Sequence, residues 1–294
     1  MSELIVCLNP VIQKTMIMKI FEKDSVNRAV KSQWNCSGKG VNVCRVMNQL
    51  HQNNILLTQS NGQHKEWFEI LCKQDEVHLK TIPIRGIRFC TTVLCNGVST
   101  ELVEEVIPVI KIGEDPNEMI IKAFKEVVNE QNIKYIVFTG STAPRISIDI
   151  FRQMIIAIED KEILIIADIR RNNLKEVLQL KEYYKQIIIK PNNFEFIETF
   201  GKDVEEEGRK LSKEGITIII TQWEKETLLF KDGELKMIKV EKVEKVINTI
   251  GCGDSFTAGL TASLLKGLLL EESIKEGHKT ACKNLTTVTP GSLI

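Results

Sequence analysis

A glycine-rich segment near the end of the chain carries an aspartate in a setting suited to proton transfer. The segment reads NTIGCGDSF over residues 248–256, and small residues follow it as in a helix. Glycines at a helix start let the backbone approach a ligand, and the free N–H groups and the helix dipole favour negative charge there. We predict that these amides bind a phosphoryl group while Asp254 accepts the proton of an attacking hydroxyl. The competing interpretation of Asp254 is ordinary helix capping.

A second glycine-rich segment, SGKGVNV at residues 37–43, also opens an amphipathic helix. It does not match the Walker A motif, because Gly40 follows Lys39 and Gln33 stands where that motif needs a glycine. A lysine at a helix N-terminus opposes the helix dipole. Two interpretations of Lys39 follow: a bound anion neutralises its charge, or it is a plain surface lysine.

The charge balance of the chain narrows the choice of partner. The 294 residues include 39 basic and 39 acidic side chains, interspersed and with no formal net charge. We therefore expect a small-molecule partner and neither nucleic acid nor a membrane. The first residues, MSELIVCLNP, lack the basic region and cleavage site of a secretion signal, and no apolar run reaches the roughly 18 residues of a membrane span. These features predict a cytoplasmic protein.

Cysteines and histidines show no metal or redox motif. The eight cysteines are scattered without a CxxC pair or zinc spacing, which predicts reduced thiols in the core. Four histidines, His51, His64, His78 and His278, lie in polar segments, and we expect all of them at the surface.

Short β-branched runs alternate with helix-like stretches along most of the chain. The apolar runs suit strands of a parallel sheet covered on both faces: 4–8, 55–58, 133–139, 163–167, 187–189 and 216–221. The helix-like stretches include 41–50, 116–129, 147–158, 174–180 and 204–212. This alternation predicts one doubly wound α/β/α sandwich with a mostly parallel central sheet.

Two regions, 11–36 and 84–110, break the alternation. They read as extended segments with period-two patterning, as in RFCTTVLC at 88–95, and Asn96-Gly97 is a hairpin signal. We predict that they form a small β-sheet outside the sandwich. Such a sheet beside a cleft would serve as a lid or as a dimer surface.

Ligands of open α/β sheets bind beyond the carboxyl ends of the strands. The residues found there are Asn9, Gly140, Ser141, Asp168, Lys190, Asn192 and Thr221. Asp168 either faces the cleft or caps the next helix near Asn172, and for Ser141 capping is preferred over ligand contact. Trp223 either stacks on a base or is a partly buried structural tryptophan, and the second case is the commoner one.

Eight segments in chain order resemble the phosphofructokinase B branch of the ribokinase-like sugar kinases, and the resemblance covers nearly the whole chain. The segments are LNPVIQKT (8–15), VNR (26–28), SGKGVNVCRVMNQL (37–50), TELVEE (100–105), GSTAP (140–144), IKPNNFE (189–195), NTIGCGDSFTAG (248–259) and TPGS (289–292). Within that branch they are most like 1-phosphofructokinase and tagatose-6-phosphate kinase. The resemblance implies a ribokinase-like three-layer fold and ATP-dependent phosphoryl transfer to a phosphorylated ketohexose.

The resemblance also implies roles for individual residues. Its catalytic residues are the base Asp254 and the anion-hole amides of Gly251, Cys252 and Gly253. Its substrate-binding residues are Gln13, Gly38, Lys39, Asn42 and Arg88, of which Lys39 and Arg88 hold the phosphate. Its nucleotide-binding residues are Lys190, Asn192, Glu195, Thr221 and Asn284. Asn192 and Glu195 would also organise Mg²⁺ through water, and Asn284 would lie near the adenine.

The implied cofactors are ATP and Mg²⁺, and the question of a monovalent cation stays open. The implied assembly is a homodimer formed through the small sheet. Three departures from the family pattern bear on the substrate and the donor. Gln13 stands where the family usually has aspartate, and it keeps hydrogen-bonding capacity without the charge. The loop QWEKET at 222–227 has no glycine where the family has a glycine-containing loop beside the nucleotide, and Ser37 stands where a second glycine is common.

Three functions therefore remain open. The first is a kinase of fructose 1-phosphate, tagatose 6-phosphate or fructose 6-phosphate. The second is a kinase of an unphosphorylated sugar or nucleoside, against which Lys39 argues. The third is a non-catalytic sensor of sugar phosphate, which Gln13 and the 222–227 loop favour and the Asp254 segment opposes. A dinucleotide oxidoreductase has little support, because the 251–256 segment lacks a third glycine and lies near the C-terminus.

Overall fold

A computed structural model describes residues 2–105, 115–158 and 162–294. Nine strands among these residues form the central sheet: β1 (Ser2–Cys7), β4 (Asn54–Asn61), β5 (Leu79–Gly86), β8 (Ile133–Thr139), β9 (Leu164–Asp168), β10 (Ile187–Ile189), β11 (Thr217–Ile220), β12 (Thr227–Lys231) and β13 (Glu234–Ile238). Their order is β13-β12-β11-β10-β9-β8-β1-β4-β5. Neighbouring strands run parallel except in the β11–β12 and β12–β13 pairs. The predicted mostly parallel sheet is confirmed.

Helices cover both faces of this sheet. They are α1 (Lys39–Gln49), α2 (Lys65–Gln74), α3 (Pro116–Glu130), α4 (Ile150–Ile156), α5 (Arg171–Val177), α6 (Asn193–Phe200), α7 (Val204–Lys213), α8 (Cys252–Leu265) and α9 (Leu270–Leu285), with a 3₁₀ helix at Lys181–Gln186. The apolar side chains of α3 to α7 pack with one face of the sheet, and those of α1, α2, α8 and α9 pack with the other. The predicted three-layer α/β/α sandwich is confirmed.

Strand β1 shows why both faces must be covered. Leu4, Val6 and Leu8 are buried in the core on the α3 to α7 side, whereas Ile5 and Cys7 are buried in the opposite core. Successive side chains of a strand point to opposite faces of the sheet. A continuous apolar run is therefore stable only in a sheet with helices on both sides.

A second, four-stranded sheet stands outside the sandwich. Its strands are β2 (Val11–Met18), β3 (Lys31–Ser37), β6 (Arg88–Cys95) and β7 (Val98–Val103), in the order β3-β2-β6-β7. The two central strands, β2 and β6, are parallel, and the two outer pairs are antiparallel. Asn96 and Gly97 join β6 to β7 with φ values of 50° and 76°, as a two-residue type I′ hairpin requires.

The small sheet confirms the two extended regions but changes their limits. Residues 84–86 belong to β5 of the central sheet, because β5 pairs with β4. Residues 19–30 form turns between β2 and β3. Residues 106–110 of the second region lie outside the described residues.

His278 contradicts the expectation that all four histidines are exposed. It is buried on α9 with its ring 5.0 Å from that of Phe256, and burial lowers its pKa to about 4. The eight cysteines are free thiols, and five of them are buried, as predicted, while Cys95, Cys252 and Cys282 are half-buried. Within the described residues, none of the helices is both long and apolar enough to span a membrane.

Candidate active site

A cleft of about 640 Å³ opens where β1, β8, β9, β10 and β11 end, between the starts of α1 and α8 and the small sheet. Twelve of the fourteen predicted site residues line it: Gln13, Gly38, Lys39, Asn42, Arg88, Lys190, Asn192, Glu195, Thr221, Gly251, Gly253 and Asp254. The remaining two, Cys252 and Asn284, lie behind the loop that opens α8. Residues far apart in the chain therefore meet in one place.

The start of α8 is built to leave backbone amides free. Gly251 precedes the helix with φ 84°, in the left-handed region, and no described side chain caps the first turn. A Cβ atom at Gly251 would lie 2.1 Å from the amide nitrogen of Gly291. Both the left-handed backbone and this close approach require glycine at 251. A helix start whose first amides are not capped by a side chain favours an anion.

Asp254 lies in the first turn of α8 and is buried. Its Oδ2 accepts a hydrogen bond of 2.7 Å from Nδ2 of Asn42 on α1. Burial raises the pKa of Asp254 to about 6, and the charge of Lys39 opposes that rise. The side chain is therefore more than a helix cap: it lines the cleft and has a pKa just below neutrality, which would suit a proton acceptor.

Asp168, at the end of β9, joins two lysines. Its Oδ1 lies 3.2 Å from Nζ of Lys39, its Oδ2 lies 3.3 Å from Nζ of Lys190, and the hydroxyl of Thr257 donates to Oδ2 at 3.1 Å. Burial alone would raise the pKa of Asp168, but the charges of Lys190 and Lys39 outweigh it and hold the pKa below its ordinary value. The capping interpretation is wrong, since α5 begins after Arg170 and no side chain caps it.

Lys39 points into the cleft, so the plain surface interpretation is wrong. Its side chain is 37% exposed, and Nζ also lies 3.5 Å from Oε1 of Glu195. Burial by itself would lower the pKa of Lys39. The negative charges of Asp168, Glu195 and Asp254 outweigh that effect and raise the pKa. Lys39 is thus a permanent cation at the centre of the cleft.

Arg88 is a second cation on the cleft wall, at the first position of β6. Its Nε is buried and has no hydrogen-bond partner among the described residues, and its Nη1 reaches only the carbonyl of Glu104 at 3.5 Å. Burial lowers its pKa. No carboxylate of the described chain forms an ion pair with Arg88, so its charge is available to an anionic ligand.

Gln13 lies beside Arg88 on the neighbouring strand β2 and is buried. Its Nε2 donates to Oγ1 of Thr92 at 2.7 Å, which holds the amide against β6. A glutamine here presents neutral hydrogen-bonding groups to the cleft.

Asn192 and Glu195 form a capping box at the start of α6. The Glu195 amide donates to Oδ1 of Asn192 at 2.8 Å, and the Asn192 amide donates to Oε2 of Glu195 at 3.0 Å. The described residues contain no group of three or more histidine, cysteine or acidic side chains arranged to hold a metal. This donor set fits Mg²⁺ that is bound mainly by phosphate and water, because Mg²⁺ keeps several waters in such sites.

Ser141 does not cap a helix. Its hydroxyl accepts a hydrogen bond of 3.2 Å from Nδ2 of Asn9 at the cleft wall, and α4 begins nine residues later, after Asp149. Thr221 is paired with Asn192 by an isolated parallel bridge, so the ends of β10 and β11 are held side by side.

Comparison with known proteins decides the family. Residues 7–293 match the family model described as pfkB family carbohydrate kinase. The chain belongs to this family. A tagatose-6-phosphate kinase of Staphylococcus epidermidis is 27% identical over 281 residues, covering 92% of this chain and 88% of that protein. A 1-phosphofructokinase of Borreliella burgdorferi is 25% identical over 279 residues, covering 92% and 87%.

Solved structures show that the fold of this pfkB family kinase is ribokinase-like. Phosphofructokinase-2 from Escherichia coli in complex with potassium aligns with a TM-score of 0.84 at 18% identity, over 99% of this chain and 96% of that one. Ribokinase from Arabidopsis thaliana, complexed with ribose and ATP, aligns with a TM-score of 0.72 at 16% identity, over 98% and 94%.

In this pfkB kinase, Asn284 is enclosed within the protein. It is fully buried on α9, where Nδ2 donates to the carbonyl of Ile250 at 3.0 Å and contacts Sγ of Cys252 at 3.3 Å. Its Oδ1 accepts from the amide of Ser292 at 3.1 Å. Its side-chain amide is used in holding the α8 loop and the C-terminal turn, which does not fit direct contact with adenine. Burial raises the pKa of the Cys252 thiol to about 12, so that side chain stays neutral.

Arg45 contacts a predicted site residue, Asn42, but the sequence motifs did not indicate a role for it. It is 3% exposed on α1, and its guanidinium donates to Oδ1 of Asn42 at 3.0 Å, Oδ2 of Asp75 at 2.8 Å, the carbonyl of Pro290 at 2.7 Å and the carbonyl of Cys36. Because Arg45 occupies the amide oxygen of Asn42, only the amide nitrogen is left to face Asp254. The available signal was an arginine within an otherwise apolar helix face, three residues after Asn42.

Proposed function

We propose that this pfkB kinase transfers the γ-phosphoryl group of ATP to a hydroxyl of a phosphorylated ketohexose and so forms a sugar bisphosphate. The acceptors we consider are fructose 1-phosphate, tagatose 6-phosphate and fructose 6-phosphate. The observation that carries the proposal is the buried carboxylate of Asp254, at the uncapped start of α8 and in a cleft whose cationic side chains include Lys39 and Arg88.

The acceptor is proposed to lie between α1 and the small sheet. Arg88 has no carboxylate partner among the described residues, and Lys39 lines the same cleft, so both are proposed to bind the phosphate. Gln13 and Asn42 present amide groups that suit sugar hydroxyls, and Gly38 allows the backbone to approach the ligand. The two cations would bind the phosphate of a sugar phosphate, and the two amides would bind its hydroxyls.

In the proposed reaction, Asp254 takes the proton of the attacking sugar hydroxyl, and the hydroxyl oxygen forms a bond to the γ-phosphorus. The bond from that phosphorus to the β–γ bridging oxygen breaks, and ADP leaves. The amides of Gly251, Cys252 and Gly253 stabilise the charge on the transferred group. Mg²⁺, when bound, would neutralise charge on the β- and γ-phosphates.

The donor is proposed to lie at the ends of β10 and β11. Lys190 supplies a cation there, and Asn192, Glu195 and Thr221 supply polar groups on the same wall. Asn192 and Glu195 would hold the waters around Mg²⁺. Asn284 would act indirectly, by fixing the loop of Ile250 that carries the anion hole. Whether a monovalent cation is also needed can be tested by comparing K⁺ with a tetraalkylammonium salt in the assay.

One observation favours a second candidate, a kinase of an unphosphorylated sugar. Lys39 already has two carboxylate partners, Asp168 and Glu195, so part of its charge is balanced within the protein. The two candidates differ in what Arg88 does. In a sugar-phosphate kinase, Arg88→Gln should raise the KM for the phosphosugar more than tenfold, because a charge-assisted hydrogen bond to the dianion is lost. In a kinase of a neutral sugar, the same change should leave the KM nearly unaltered.

The test of the proposed function is a coupled assay with Mg-ATP and five acceptors: fructose 1-phosphate, tagatose 6-phosphate, fructose 6-phosphate, fructose and ribose. We expect turnover with one of the phosphosugars. Asp254→Asn should lower that turnover by about two to four orders of magnitude, since it removes the proton acceptor. Asp232→Asn, in the exposed turn between β12 and β13, is the matched control and should behave like wild type.

A chain that binds a phosphosugar tightly in calorimetry but shows no acceptor-dependent turnover would be a sensor and would refute the proposal. Full activity of Asp254→Asn would refute the role of Asp254 alone.

We also propose that the chain forms a homodimer through the small sheet. Val98 and Leu102 are exposed apolar residues on one face of the edge strand β7, and such a pair is unfavourable in water. A second copy of the same sheet would cover it.

A further inference from the structure

Trp223 is an unusually exposed aromatic residue at the rim of the cleft. It lies in the glycine-free loop after β11, and 79% of its surface is accessible, more than for Trp34 or any other described tryptophan. A structural tryptophan would be largely buried, because burying its ring is a large part of what a tryptophan contributes to stability. The interpretation of Trp223 as a partly buried structural residue is therefore wrong.

The backbone of Trp223 is also in an unfavourable conformation. Its φ is 55°, in the left-handed region, and the amide of Lys225 donates to the carbonyl of Gln222 at 3.0 Å across the turn. For a bulky residue this region is an outlier, and glycine is its usual occupant. Since the ring is not packed against the protein, burial does not compensate for the strain. Strain of this kind concentrates at ligand-binding sites.

The loop is nevertheless held firmly at its base. Thr221 is bridged to Asn192, and Nε2 of Gln222 donates to Oδ1 of Asn193 at 3.3 Å. These contacts fix the loop to the start of α6, next to the wall proposed to hold the donor. These contacts hold the backbone at the base of the loop, so Trp223 is presented from a defined place on the cleft wall.

The position of Trp223 separates it from the acceptor. Strand β11 is four places from β1 in the sheet, which corresponds to about 19 Å at the usual strand spacing. Gln13 and Arg88 are on the small sheet, next to the β1 end, and Asp254 lies between the two ends. A triphosphate that reaches Asp254 from the β11 end would leave its nucleoside beside Trp223.

We propose that the indole of Trp223 stacks on the nucleoside of the phosphoryl donor. The proposal rests on the proposed function, which assigns the donor to the ends of β10 and β11. The base is the one aromatic part of the two substrates, and stacking on an exposed ring tolerates any base because each has a π-face. The indole would thereby provide a stacking contact that a glycine at this position could not make.

The test compares nucleoside binding with phosphate binding. Calorimetry with Mg-ADP and with Mg-pyrophosphate, which lacks the nucleoside, is done on wild type and three variants. Trp223→Phe keeps a ring, Trp223→Asn keeps tolerance of the left-handed backbone without a ring, and Trp223→Gly relieves the strain. We expect Trp223→Asn and Trp223→Gly to bind Mg-ADP roughly tenfold more weakly, and Trp223→Phe to stay within about threefold of wild type. All four proteins should bind Mg-pyrophosphate equally.

Fluorescence gives an independent readout. Mg-ADP should change the tryptophan emission of wild type, and the change should be lost in Trp223→Phe, which retains Trp34 and Trp67 with their rings 4.9 Å apart beside the small sheet. Trp223→Gly should melt no lower than wild type, which excludes unfolding as the cause of weaker binding.

Unchanged Mg-ADP affinity in Trp223→Gly, or an equal loss of Mg-pyrophosphate affinity, would overturn the stacking proposal while leaving wild-type kinase activity intact. A wild-type protein that neither binds adenine nucleotide nor transfers phosphoryl groups would refute the proposed function as well.

Discussion

Asp254 is buried, yet it must be ionised to accept a proton. Burial raises its pKa to about 6, and the charge of Lys39 and the Asn42 hydrogen bond limit the rise. A pKa just below neutrality lets a carboxylate be both ionised and basic enough to take a proton in the transition state. Burial, the charge of Lys39 and the Asn42 hydrogen bond together give Asp254 a pKa that suits the proposed proton transfer.

Asn42→Ala should move the acid limb of the kcat–pH profile to higher pH. The Asn42 amide favours the ionised form of Asp254, so its loss raises the pKa and the base is protonated at a higher pH. The substrate phosphates also titrate near pH 6, but equally in both enzymes, so the displacement between profiles reports on Asp254. Asn48→Ala, on the same helix and bonded to the carbonyl of Glu76, should leave the profile in place.

Asp254→Asn should stabilise the fold above pH 6. A pKa raised from 3.8 to about 6 means that the folded state binds the proton more tightly, so stability falls as pH rises from about 4 to about 6 and stays lower above that. The corresponding free energy is about 3 kcal/mol. Thermal unfolding should show the variant above wild type at pH 8, and the difference should shrink towards pH 4. An equal difference at both pH values would contradict the raised pKa.

At the scale of elements, the start of α8 depends on two glycines for different reasons. Gly251 has a left-handed backbone and no room for a Cβ, whereas a Cβ at Gly253 would meet no protein atom within 4 Å. Gly253 also lines the cleft. Gly251 is therefore needed for the loop to fold, whereas Gly253 leaves space for a ligand.

Gly251→Ala should lower the free energy of unfolding by more than about 2 kcal/mol, because it adds left-handed strain and a clash with Gly291. Gly253→Ala should keep the wild-type melting temperature and lose activity only, since its methyl group enters the space of the transferred phosphoryl group. Melting curves and turnover of the two variants test this together. A destabilised Gly253→Ala would show that the loop has no free space there.

Arg45 joins four separate elements around the base. It bonds to Asn42 on α1, Cys36 on β3 of the small sheet, Asp75 at the end of α2, and Pro290 in the C-terminal turn. A buried arginine with its donors occupied fixes these segments relative to one another. It also orients the Asn42 amide towards Asp254, which makes it a positioning residue.

Arg45→Met should lower the free energy of unfolding by about 3 kcal/mol, because the change leaves Asp75 and two carbonyls without their donor. The double variant with Asp75→Asn should recover part of that loss by removing the unpaired charge. The acid limb of the kcat–pH profile should stay displaced in both variants, since neither restores the orientation of Asn42. A profile identical to wild type would limit Arg45 to a structural role.

At the scale of the whole molecule, the small sheet stands outside the sandwich, although Ile12 and Cys36 join it to the core on the α1 side. On its outer strand β7, Val98 and Leu102 are exposed, while Gln13, Arg88 and Val103 line the cleft. A dimer formed through this sheet would couple assembly to the wall of the active site.

Light scattering should report about twice the chain mass of 33.4 kDa at micromolar concentration. Leu102→Glu should shift the protein towards the monomer, because it places a charge in the apolar contact. Met237→Glu makes the same change at an exposed apolar side chain on β13, the edge strand of the central sheet, and should leave the mass unaltered. A wild-type mass near that of one chain across the working range would rule the dimer out.

Much of the architecture followed from local patterns. Continuous apolar runs marked the parallel strands, period-two segments marked the small sheet, and the two glycine-rich segments marked the starts of α1 and α8. The β12–β13 hairpin was missed although Asp232-Gly233, with φ values of 51° and 79°, is the same type of turn signal as Asn96-Gly97. The prediction that His278 is exposed was wrong, because its polar neighbours in the sequence conceal the buried face of α9.

The glycine-rich helix starts and the fold class could be predicted from the sequence, because each depends on local backbone conformation or on the spacing of apolar residues. The tertiary structure alone decided that Asp168 joins Lys39 to Lys190, that Arg45 orients Asn42, and that Asn284 is enclosed behind the α8 loop. These contacts join residues separated by tens to hundreds of positions. The choice of partner for a charge or an amide depends on distances and burial that arise only when the strand ends and helix starts converge on one cleft.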